Sequence, residues 1–354
     1  MLFLSSGEQA QWRKLGVAAG EGRLRLHDAD GEIRKNLLPV FRFYIGALKA
    51  SHGDIPAARE WFNLGALEED REMMSNAFIA GFLERQNGRF ELPEVVFADP
   101  RPFVHFTTVP MIHSARAQFI RTAGHSLPVF RHPLRIMDIG CGNGALVADL
   151  LRHLREIEKI GDIGEILLID FSQGMMDLAV KTVGQHFPAS IIKTLVHRVE
   201  EVSGRLDGHY DIALSSLAYH HMPWEKKLAH LRNLCPHIDH FLLFELGGNH
   251  DTPEVGAPEL AVSVFQSYGR LIDAIFAHDA PVEVAQSCVD RFILAEEVSL
   301  LKQPRGQRTE YHMLRSQWHD LFRQGLVGGG FTCWSDTTAY SDQALDLYTL
   351  HYGR

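Results

Sequence analysis

The chain contains 354 residues, of which 45% are hydrophobic and 22% charged, and it carries a formal net charge of −9. A negative balance of this size disfavours proteins whose affinity depends on neutralising many phosphates, so we expect no nucleic-acid partner. The longest apolar runs are only as long as strands, whereas a membrane span needs roughly 20 apolar residues, and the amino-terminal residues lack the features of a signal peptide. We therefore expect a cytoplasmic protein that has no membrane partner.

Cysteine and histidine spacing gives no indication of a metal centre. The four cysteines are scattered without a CxxC pair, and no HExxH or comparable spacing occurs among the 20 histidines. Zinc sites and disulfide frameworks normally show such patterns. The sequence therefore predicts no bound metal and no disulfide framework.

The first third of the chain has the apolar periodicity of helices. Leu37–Ser51 and Ile55–Met73 form two such segments, and Asp54 is placed to cap the second of them at its N-terminus. Another helix is predicted near Ile112–Ala123. We interpret residues 1–125 as a helical amino-terminal domain that acts as a cap or as a dimerisation element.

Short apolar strands alternate with helices from about residue 133 onwards. The first five predicted strands are Arg135–Ile139, Ile166–Ile169, Ile192–Val196, Ile212–Ser215 and Phe241–Glu245. Two more, Phe331–Tyr340 and Leu345–His351, follow each other at the carboxyl end and predict an antiparallel hairpin. Residues 126–354 therefore predict a doubly wound, mainly parallel, seven-stranded α/β sheet, with a helical lid inserted at about 253–325.

The turn after the first predicted strand is rich in glycine. Asp138 ends the strand, and Gly140, Gly142 and Gly144 follow at alternate positions before the predicted helix Ala145–Leu154. Glycines let the backbone turn tightly and approach a ligand, and a helix N-terminus attracts anionic groups. Such a turn suits a phosphate, a dinucleotide or an amino-acid carboxylate, and it also satisfies a relaxed dinucleotide fingerprint.

A carboxylate ends the second predicted strand. Asp170 is followed by Phe171, Ser172 and, after two more residues, Met175. A carboxylate at this place can accept hydrogen bonds from both hydroxyls of a ribose. The alternative interpretation is that Asp170 only caps the next helix.

Together these motifs resemble those of class I S-adenosylmethionine-dependent methyltransferases. The pattern Asp-x-Gly-x-Gly-x-Gly from Asp138 to Gly144 matches the family's first motif, and the chain is similar to the family from about residue 105 to 354. The resemblance implies that S-adenosyl-L-methionine is the cofactor and that its methionine part lies against the glycine turn. It further implies that Asp138 orients the loop or meets the amino group of the cofactor through water. Asp170 would bind the ribose, and Phe171 and Met175 would lie beside the adenine.

The same resemblance implies further cofactor contacts. Cys141 lies inside the glycine turn, and Ser215 lies at the end of the fourth predicted strand. Families of this type often place an acidic residue after strand three against the adenine amine, and Glu200 is the candidate here. A solvated charged turn is the alternative for Glu200.

A pair of histidines follows the fourth predicted strand. His220 and His221 resemble the pair that often follows this strand in the small-molecule branch of the family. Either histidine is a candidate general base, because imidazole titrates near neutral pH. The alternatives are structural packing, a mechanism that uses proximity alone, and a base from the lid such as Tyr311 or His312. Strand-like alternation would put His221 and Tyr219 on one side and His220 on the other, which makes His221 our first choice and Tyr219 a candidate substrate contact.

Methyl transfer from a sulfonium mainly requires alignment of the reacting groups and exclusion of water, so we expect a covering element. Phe106 lies in a segment that leads towards the first motif and is a candidate contact with the substrate. Six aromatic side chains of the predicted lid could line a pocket or form ordinary core. They are Phe265, Tyr268, Phe276, Phe292, Tyr311 and Trp318, of which Tyr268 and Tyr311 are our choices.

We therefore predict a methyltransferase acting on a small-molecule acceptor, with a homodimer as a candidate assembly. A protein or nucleic-acid methyltransferase is disfavoured by the acidic charge and by the absence of an Asn-Pro-Pro-Tyr type motif at residues 215–218. A regulator or scaffold that binds the cofactor without catalysis remains open, because the binding motifs do not distinguish binding from turnover. A nicotinamide oxidoreductase is supported only by the relaxed fingerprint.

Overall fold

The computed structural model describes residues 2–70, 72–93, 100–202, 205–206 and 208–354. Its central element is a seven-stranded sheet. The strands are β1 (Leu134–Ile139), β2 (Ile163–Asp170), β3 (Ile192–Val196), β4 (Tyr210–Ser216), β5 (Ile238–Leu246), β6 (Thr332–Ser341) and β7 (Asp346–Gly353). Their order is β3-β2-β1-β4-β5-β7-β6, in which β1 to β5 pair in parallel and β7 lies antiparallel between β5 and β6. The predicted doubly wound sheet with its closing hairpin is confirmed.

Several strands are longer than their apolar runs predicted. β3 has the predicted bounds, whereas β2 begins at Ile163 and β5 at Ile238. The reason is backbone pairing, since Ile163 pairs with Leu134 and Ile238 pairs with Tyr210. Hydrogen bonds between strands extend beyond the residues whose side chains are uniformly apolar.

Helices occupy most of the described chain before the sheet. They are α1 (Ser6–Gly20), α2 (Leu38–Ser51), α3 (Ile55–Glu68), α4 (Ser75–Arg85), α5 (Arg101–Thr108) and α6 (Pro110–Ser126). The predicted cap is present, because the Asp54 side chain accepts a hydrogen bond from the backbone N–H of Ala57 at 3.4 Å. The helical character predicted for this part of the chain therefore agrees with the structure.

The third helix is shorter than its periodicity predicted. α3 ends at Glu68 rather than continuing to Met73. The next carboxylate, Glu69, turns away and accepts hydrogen bonds from the backbone N–H groups of Asn76 and Ala77, at 2.6 and 3.3 Å. These N–H groups belong to the first turn of α4, so the side chain of Glu69 caps the following helix.

The remaining helices alternate with the strands and then form the insertion. They are α7 (Ala145–Glu156), α8 (Gln173–Gly184), α9 (Trp224–Leu234), α10 (Pro258–Ala277), α11 (Val282–Cys288), α12 (Leu294–Lys302) and α13 (Arg315–Gly325). A π-helical turn, Val289–Ile293, connects α11 with α12. No helix among the described residues is both long and apolar enough to cross a membrane.

Helices from the predicted amino-terminal domain and from the predicted lid share an apolar core. α10 packs against α2 and α4, and the rings of Phe43 and Phe265 lie 5.5 Å apart in an edge-to-face contact. The hydroxyl of Ser75 also donates a hydrogen bond to the carbonyl of Phe265 at 2.7 Å. We call α1 to α5 and α10 to α12 together the helical cap. The domain boundary at residue 125 stays a prediction.

The two faces of the sheet contribute to two cores. Side chains alternate along β1, so that Ile136 belongs to the core shared with the helical cap and Met137 to the second core. Trp318 of α13 packs in this second core, against Tyr219 and near Phe241. α13 therefore covers the opposite face of the sheet, although it falls within the residues predicted to form the lid.

Candidate active site

The turn after β1 has the backbone geometry of a ligand-binding loop. Gly140 and Gly142 have φ values of 74° and 53°, in the region that residues with a Cβ rarely adopt. A Cβ on Gly140 would lie 2.2 Å from the Cβ of Ala218, and one on Gly142 would lie 2.8 Å from Cζ of Phe103. The close approach of these segments therefore requires glycine at both positions.

Asp170 links the end of β2 to this loop. Its Oδ2 accepts a hydrogen bond from the backbone N–H of Gly142 at 3.0 Å, and its Oδ1 accepts one from Ser172 at 2.9 Å. The N-cap of α8 is Ser172, whose hydroxyl accepts the N–H of Met175. Burial raises the pKa of Asp170. Each carboxylate oxygen retains a lone pair for a ligand in the adjoining cavity.

A smaller pocket beside the loop contains a buried acid and a cation. Asp138, Cys141 and Arg116 of α6 line it together with parts of the glycine loop. Burial raises the pKa of Asp138 to about 7, although the Arg116 guanidinium acts in the opposite direction. Burial also raises the pKa of the Cys141 thiol, which therefore stays protonated. Nothing in the sequence pattern of α6 distinguished Arg116 from other helix-surface cations.

A cavity extends from the glycine loop to the helical cap and contains about 950 Å³ of empty space, its mouth included. We call it the main cavity because the glycine loop and Asp170 line it. Eight of the residues predicted for the site line it. They are Phe106, Gly140, Gly142, Asp170, Phe171, Met175, His220 and His221. The cap contributes apolar side chains to the opposite wall, notably Phe103 of α5 and Phe292 of the π-helical turn. π-helical turns of this kind are frequent at functional sites.

Six side chains form a polar cluster at this cavity, which we call the histidine–glutamate cluster. Its members are His220, His221, Glu245, Glu296, Glu310 and His312. They come from the turn after β4, the end of β5, the helix α12 and the segment before α13. All of them are buried except His221, whose side chain is 33% exposed.

The two histidines of the predicted pair share one carboxylate, Glu310, and His220 contacts a second one. Nδ1 of His220 lies 2.9 Å from Oε2 of Glu245, and its Nε2 lies 3.3 Å from Oε2 of Glu310. Nδ1 of His221 lies 3.0 Å from Oε1 of Glu310. Both rings line the cavity, so the pair is placed beside any ligand that occupies it.

His312 packs against the first of these histidines. The ring centroids of His220 and His312 are 4.0 Å apart, with an angle of 31° between the planes. Nδ1 of His312 lies 3.9 Å from Oε2 of Glu245, and its Nε2 lies 3.9 Å from Oε2 of Glu310. The two imidazoles therefore lie between the same two carboxylates.

Burial dominates the protonation equilibria of the cluster. It raises the pKa of Glu245 to about 7 and raises the pKa of Glu310 above its ordinary value. It lowers the pKa of His220 and of His312 well below the ordinary value. Burial acts in the same direction on His221, but the carboxylate of Glu310 outweighs it and raises the pKa of His221 to about 10.

The turn after β4 does not continue the alternation of the strand. Residues Tyr219–His221 form a 3₁₀ turn, so the two histidines share the cavity wall, and the expectation that they face opposite sides was wrong. The side chain of Tyr219 is fully buried, and its hydroxyl lies 2.6 Å from Nδ1 of His230. The structure therefore does not bring Tyr219 to the cavity.

Other predicted cofactor residues lie near the cavity without lining it. Ser215 is fully buried at the end of β4, and Ser216 lines the cavity instead. A Cβ on Gly144 would meet Ala179 of α8 at 3.0 Å, which indicates a packing role for this glycine. Glu200 lines a neighbouring pocket and lies 3.5 Å from Nζ of Lys226.

The aromatic side chains of the predicted lid divide into different roles. Phe292 lines the cavity, while the hydroxyl of Tyr268, fully buried, donates a hydrogen bond to Oε2 of Glu296 at 3.1 Å. The side chain of Tyr311 is buried, and its backbone carbonyl accepts a hydrogen bond from Nζ of Lys227. Phe276 packs against Phe78 within the helical cap. Most of these aromatics are therefore core, as the alternative interpretation expected.

Sequence reasoning missed most of the polar residues at the cavity. Glu245, Glu296 and Glu310 were not candidates, and His312 was considered only as an alternative base. Apart from Glu310 and His312, these residues are separated by many positions, and the set carries no spacing motif. A glutamate inside an otherwise apolar strand end, as at Glu245, was the one local signal available.

Comparison with known families gives a match over part of the chain. Residues 136–239 match a family described as a methyltransferase domain. This segment runs from β1 to the beginning of β5 and includes the glycine loop, Asp170 and the histidine pair. A comparison with curated proteins gives no match.

Solved structures with a similar fold have low sequence identity to this chain. The structure of SCL7 from Oryza sativa aligns with a TM-score of 0.57 and 14% identity, over 88% of this chain and 99% of that chain. Magnesium protoporphyrin IX methyltransferase from Synechocystis, with bound S-adenosylhomocysteine, aligns with a TM-score of 0.39 and 16% identity, over 79% and 95% of the two chains.

The N-methyltransferase NodS from Bradyrhizobium japonicum, in complex with S-adenosylhomocysteine, aligns with a TM-score of 0.37 and 11% identity, over 69% of this chain and 88% of that chain. In three further structures the chain spans little more than half of the neighbour's own length, 55% to 56%. At these identities the likeness concerns the fold alone.

Proposed function

We propose that this chain is a class I S-adenosylmethionine-dependent methyltransferase that methylates a small molecule, because residues 136–239 match a methyltransferase domain and belong to a doubly wound sheet. One observation carries the proposal. The main cavity has the glycine loop and Asp170 on one side, apolar walls between, and the histidine–glutamate cluster on the other side. Small-molecule sites are typically concave and mainly apolar, with a few polar groups that orient the ligand.

The cofactor side of the cavity offers a suitable contact to each part of S-adenosylmethionine. Asp170 offers carboxylate oxygens to the ribose hydroxyls, and the side chains of Phe171 and Met175 offer apolar surface to the adenine. In the adjoining pocket Arg116 would bind the carboxylate of the methionine part, and Asp138 would balance its amino group. The cofactor supplies an activated methyl group on a sulfonium.

The acceptor side belongs to the helical cap. Phe103 and Phe106 of α5 and Phe292 and Ile293 of the π-helical turn form apolar walls, and the histidine–glutamate cluster supplies the polar groups. This division suits an acceptor that has an apolar body and a polar group directed at the cluster. The cap also excludes water, which together with alignment is the main requirement for methyl transfer.

The catalytic roles of His221 and His220 stay predictions, although both rings lie at the cavity. The possible homodimer, the cytoplasmic location and the lack of a nucleic-acid partner also stay predictions.

The first experiment tests the cofactor site. The affinity of the purified chain for S-adenosylhomocysteine is measured by calorimetry, and Asp170→Ala is expected to weaken it at least tenfold, because charge-assisted hydrogen bonds contribute about 1.5–3 kcal/mol. Asp177→Ala is the matched control, since Asp177 lies on α8 with its side chain bonded to Gln173 on the helix surface. Equal affinities of Asp170→Ala and the unmodified chain would remove Asp170 from the cofactor site.

The second experiment tests the class of acceptor. The chain is incubated with a methyl-labelled cofactor and a cell extract that has been separated by ultrafiltration into small molecules and macromolecules. We expect label to enter the small-molecule fraction only, and the Asp170→Ala variant to reduce it. Label confined to protein or nucleic acid would contradict the proposal and favour a macromolecular acceptor.

A further inference from the structure

The histidine–glutamate cluster contains three buried carboxyl groups that have no lysine or arginine partner among the described residues. Glu245, Glu296 and Glu310 are each at most 8% exposed, and among the described residues no lysine or arginine forms an ion pair with any of them. The nearby cation Lys227 bonds to Asp251 at 3.3 Å and to the carbonyl of Tyr311 at 2.5 Å. Buried carboxylates normally have a positive partner or coordinate a metal.

The potential ligand atoms lie close enough together to share one ion. Glu296, Glu310 and His312 each offer one atom, and these three atoms all lie within 4.8 Å of one another. Nε2 of His220 lies 3.3 Å from Oε2 of Glu310, and Nε2 of His312 lies 3.9 Å from the same oxygen. Donor atoms bound to one ion at about 2.1 Å are roughly 3–4 Å apart, so only small movements are required.

Polar atoms in the same place lack hydrogen-bond partners. Among the described residues, Oε2 of Glu310, Nδ1 of His312 and Oε1 of Glu245 form no hydrogen bond. The side chains of these residues are at most 3% exposed, so bulk water cannot satisfy them. Oε2 of Glu310 lies near Nε2 of both imidazoles, and an unsatisfied buried oxygen at this place points to a group that completes the site.

Glu245 supports the ring of His220 in the way that carboxylates support metal-bound histidines. Glu245 lies on the Nδ1 side of both rings, 2.9 Å from His220 and 3.9 Å from His312, whereas Glu310 lies on the Nε2 side. Metal-ligating histidines usually donate their second N–H to a carboxylate, which orients the ring. Tyr268 supports Glu296 in the same way, through a hydrogen bond from its hydroxyl at 3.1 Å.

We propose that Glu296, Glu310, His312 and His220 bind a divalent first-row transition-metal ion at the acceptor side of the cavity. The mixture of carboxylate and imidazole donors suits Zn²⁺, Mn²⁺ or Fe²⁺ better than Mg²⁺ or Ca²⁺, which prefer oxygen ligands. Glu296, His312 and His220 also line the cavity, so the ion keeps positions open towards it. The sequence pattern predicted no metal, because the four proposed ligands share no recognisable spacing motif.

A metal ion in this position would also explain how an acceptor is prepared for methylation, an extension that rests on the proposed function. An oxygen or nitrogen of the acceptor that coordinates the ion would lose its proton more readily and become a better nucleophile. The metal would also orient the acceptor relative to the cofactor side of the cavity. The acceptor class would then be a molecule with an apolar body and a coordinating hydroxyl or amine.

The experiment measures metal binding on the full chain, independently of turnover. The protein is purified with a chelator, dialysed against Zn²⁺, Mn²⁺ or Co²⁺ and assayed by elemental mass spectrometry, with the visible absorption of Co²⁺ as the readout of coordination. We expect about one equivalent per chain, and Glu296→Gln and His312→Gln should each weaken binding at least tenfold and change the Co²⁺ spectrum.

Two buried residues of the same types serve as matched controls. Glu297 follows Glu296 on α12 but contributes to none of the candidate ligand groups, and His230 is a buried imidazole bonded to Tyr219. Glu297→Gln and His230→Gln should keep the stoichiometry and the spectrum of the unmodified chain. A loss of metal in these controls equal to that in Glu296→Gln would mean that the effect is one of folding, and the assigned ligands would be wrong.

The outcomes separate the metal site from the methyltransferase function. A chain that binds S-adenosylhomocysteine but takes up none of the three metals would overturn the metal site and leave the proposed function intact. Metal binding that is unaffected by both ligand variants would overturn it as well, because the ion would then lie elsewhere. A chain that binds metal through these ligands but not the cofactor would contradict the proposed function alone.

Discussion

The two sides of the cavity are built in different ways. The cofactor side consists of the glycine loop and Asp170, which stand at the carboxyl ends of the neighbouring parallel strands β1 and β2. The acceptor side combines the turn after β4, the end of β5, the π-helical turn with α12, and the segment before α13. One side is thus formed by short consecutive segments, and the other by residues that are distant along the chain.

This difference affects how the two sides depend on the rest of the fold. In a doubly wound sheet the carboxyl ends of adjacent parallel strands always meet at one edge, so the cofactor side follows from the topology. The acceptor side depends on the way the helical cap packs over that edge. We therefore expect changes on the cofactor side to affect cofactor affinity alone, and changes in the cap to affect the acceptor alone.

The largest effect is expected for Gly142→Val on the cofactor side. The φ of Gly142 is 53°, and a Cβ there would lie 2.8 Å from Phe103, so a β-branched side chain must displace the loop. We expect the affinity for S-adenosylhomocysteine to fall at least about 100-fold in calorimetry, with little change in the circular dichroism spectrum. Gly161→Val is the control, because a Cβ on Gly161 has open space around it. Retained affinity would place the cofactor away from this loop.

A smaller effect is expected for Phe292→Leu on the acceptor side. The ring of Phe292 lines the cavity and packs edge-to-face against Phe106, with centroids 5.2 Å apart. Since aromatic contacts contribute about 0.5–1.5 kcal/mol, the KM for the acceptor found by labelling should rise about three- to tenfold, with unchanged cofactor affinity. Phe276→Leu, which alters a ring paired with Phe78 inside the cap, should leave both constants unchanged. A parallel loss of cofactor affinity in Phe292→Leu would show that the two sides are coupled.

The smallest effect concerns stability and pH. Burial raises the pKa of Asp138 to about 7, above its ordinary value, with Arg116 opposing this shift and Asp170 adding to it. The folded state therefore holds this proton more tightly than the unfolded state, and the stability falls as the pH rises towards 7. Asp138→Asn removes the titration, so its free energy of unfolding relative to the unmodified chain should improve by about 1 kcal/mol between pH 6 and pH 7.

Urea unfolding at the two pH values measures this difference directly. Asp149→Asn is a suitable control, because Asp149 is an exposed acid on α7 that pairs with Arg152 on the helix surface. The control should show the same pH dependence as the unmodified chain. A pH dependence of Asp138→Asn identical to that of the control would mean that Asp138 is ionised throughout this range.

Local patterns predicted the sheet better than the helical ends and turns. β3 has its predicted bounds and pairs with β2 along its whole length. By contrast, α3 stops at Glu68 because the side chain of Glu69 caps the next helix. The side chains of Tyr219–His221 do not alternate as in a strand, because these residues form a 3₁₀ turn. The spacing of apolar residues predicts regular helices and strands. Helix caps and turns depend on individual side-chain and backbone contacts, which this spacing does not reveal.

By itself, the sequence determined the class of the fold, the glycine loop and the position of Asp170, since apolar periodicity and adjacent residues encode these features. Only the tertiary structure decided that Arg116 lies beside Asp138, that both histidines face the cavity, and that Glu245 and Glu310 enclose His220. The physical reason is that the environment of a buried charged group depends on the groups that surround it in the folded chain. Those partners come from strands and helices that meet only when the helical cap packs over the carboxyl edge of the sheet.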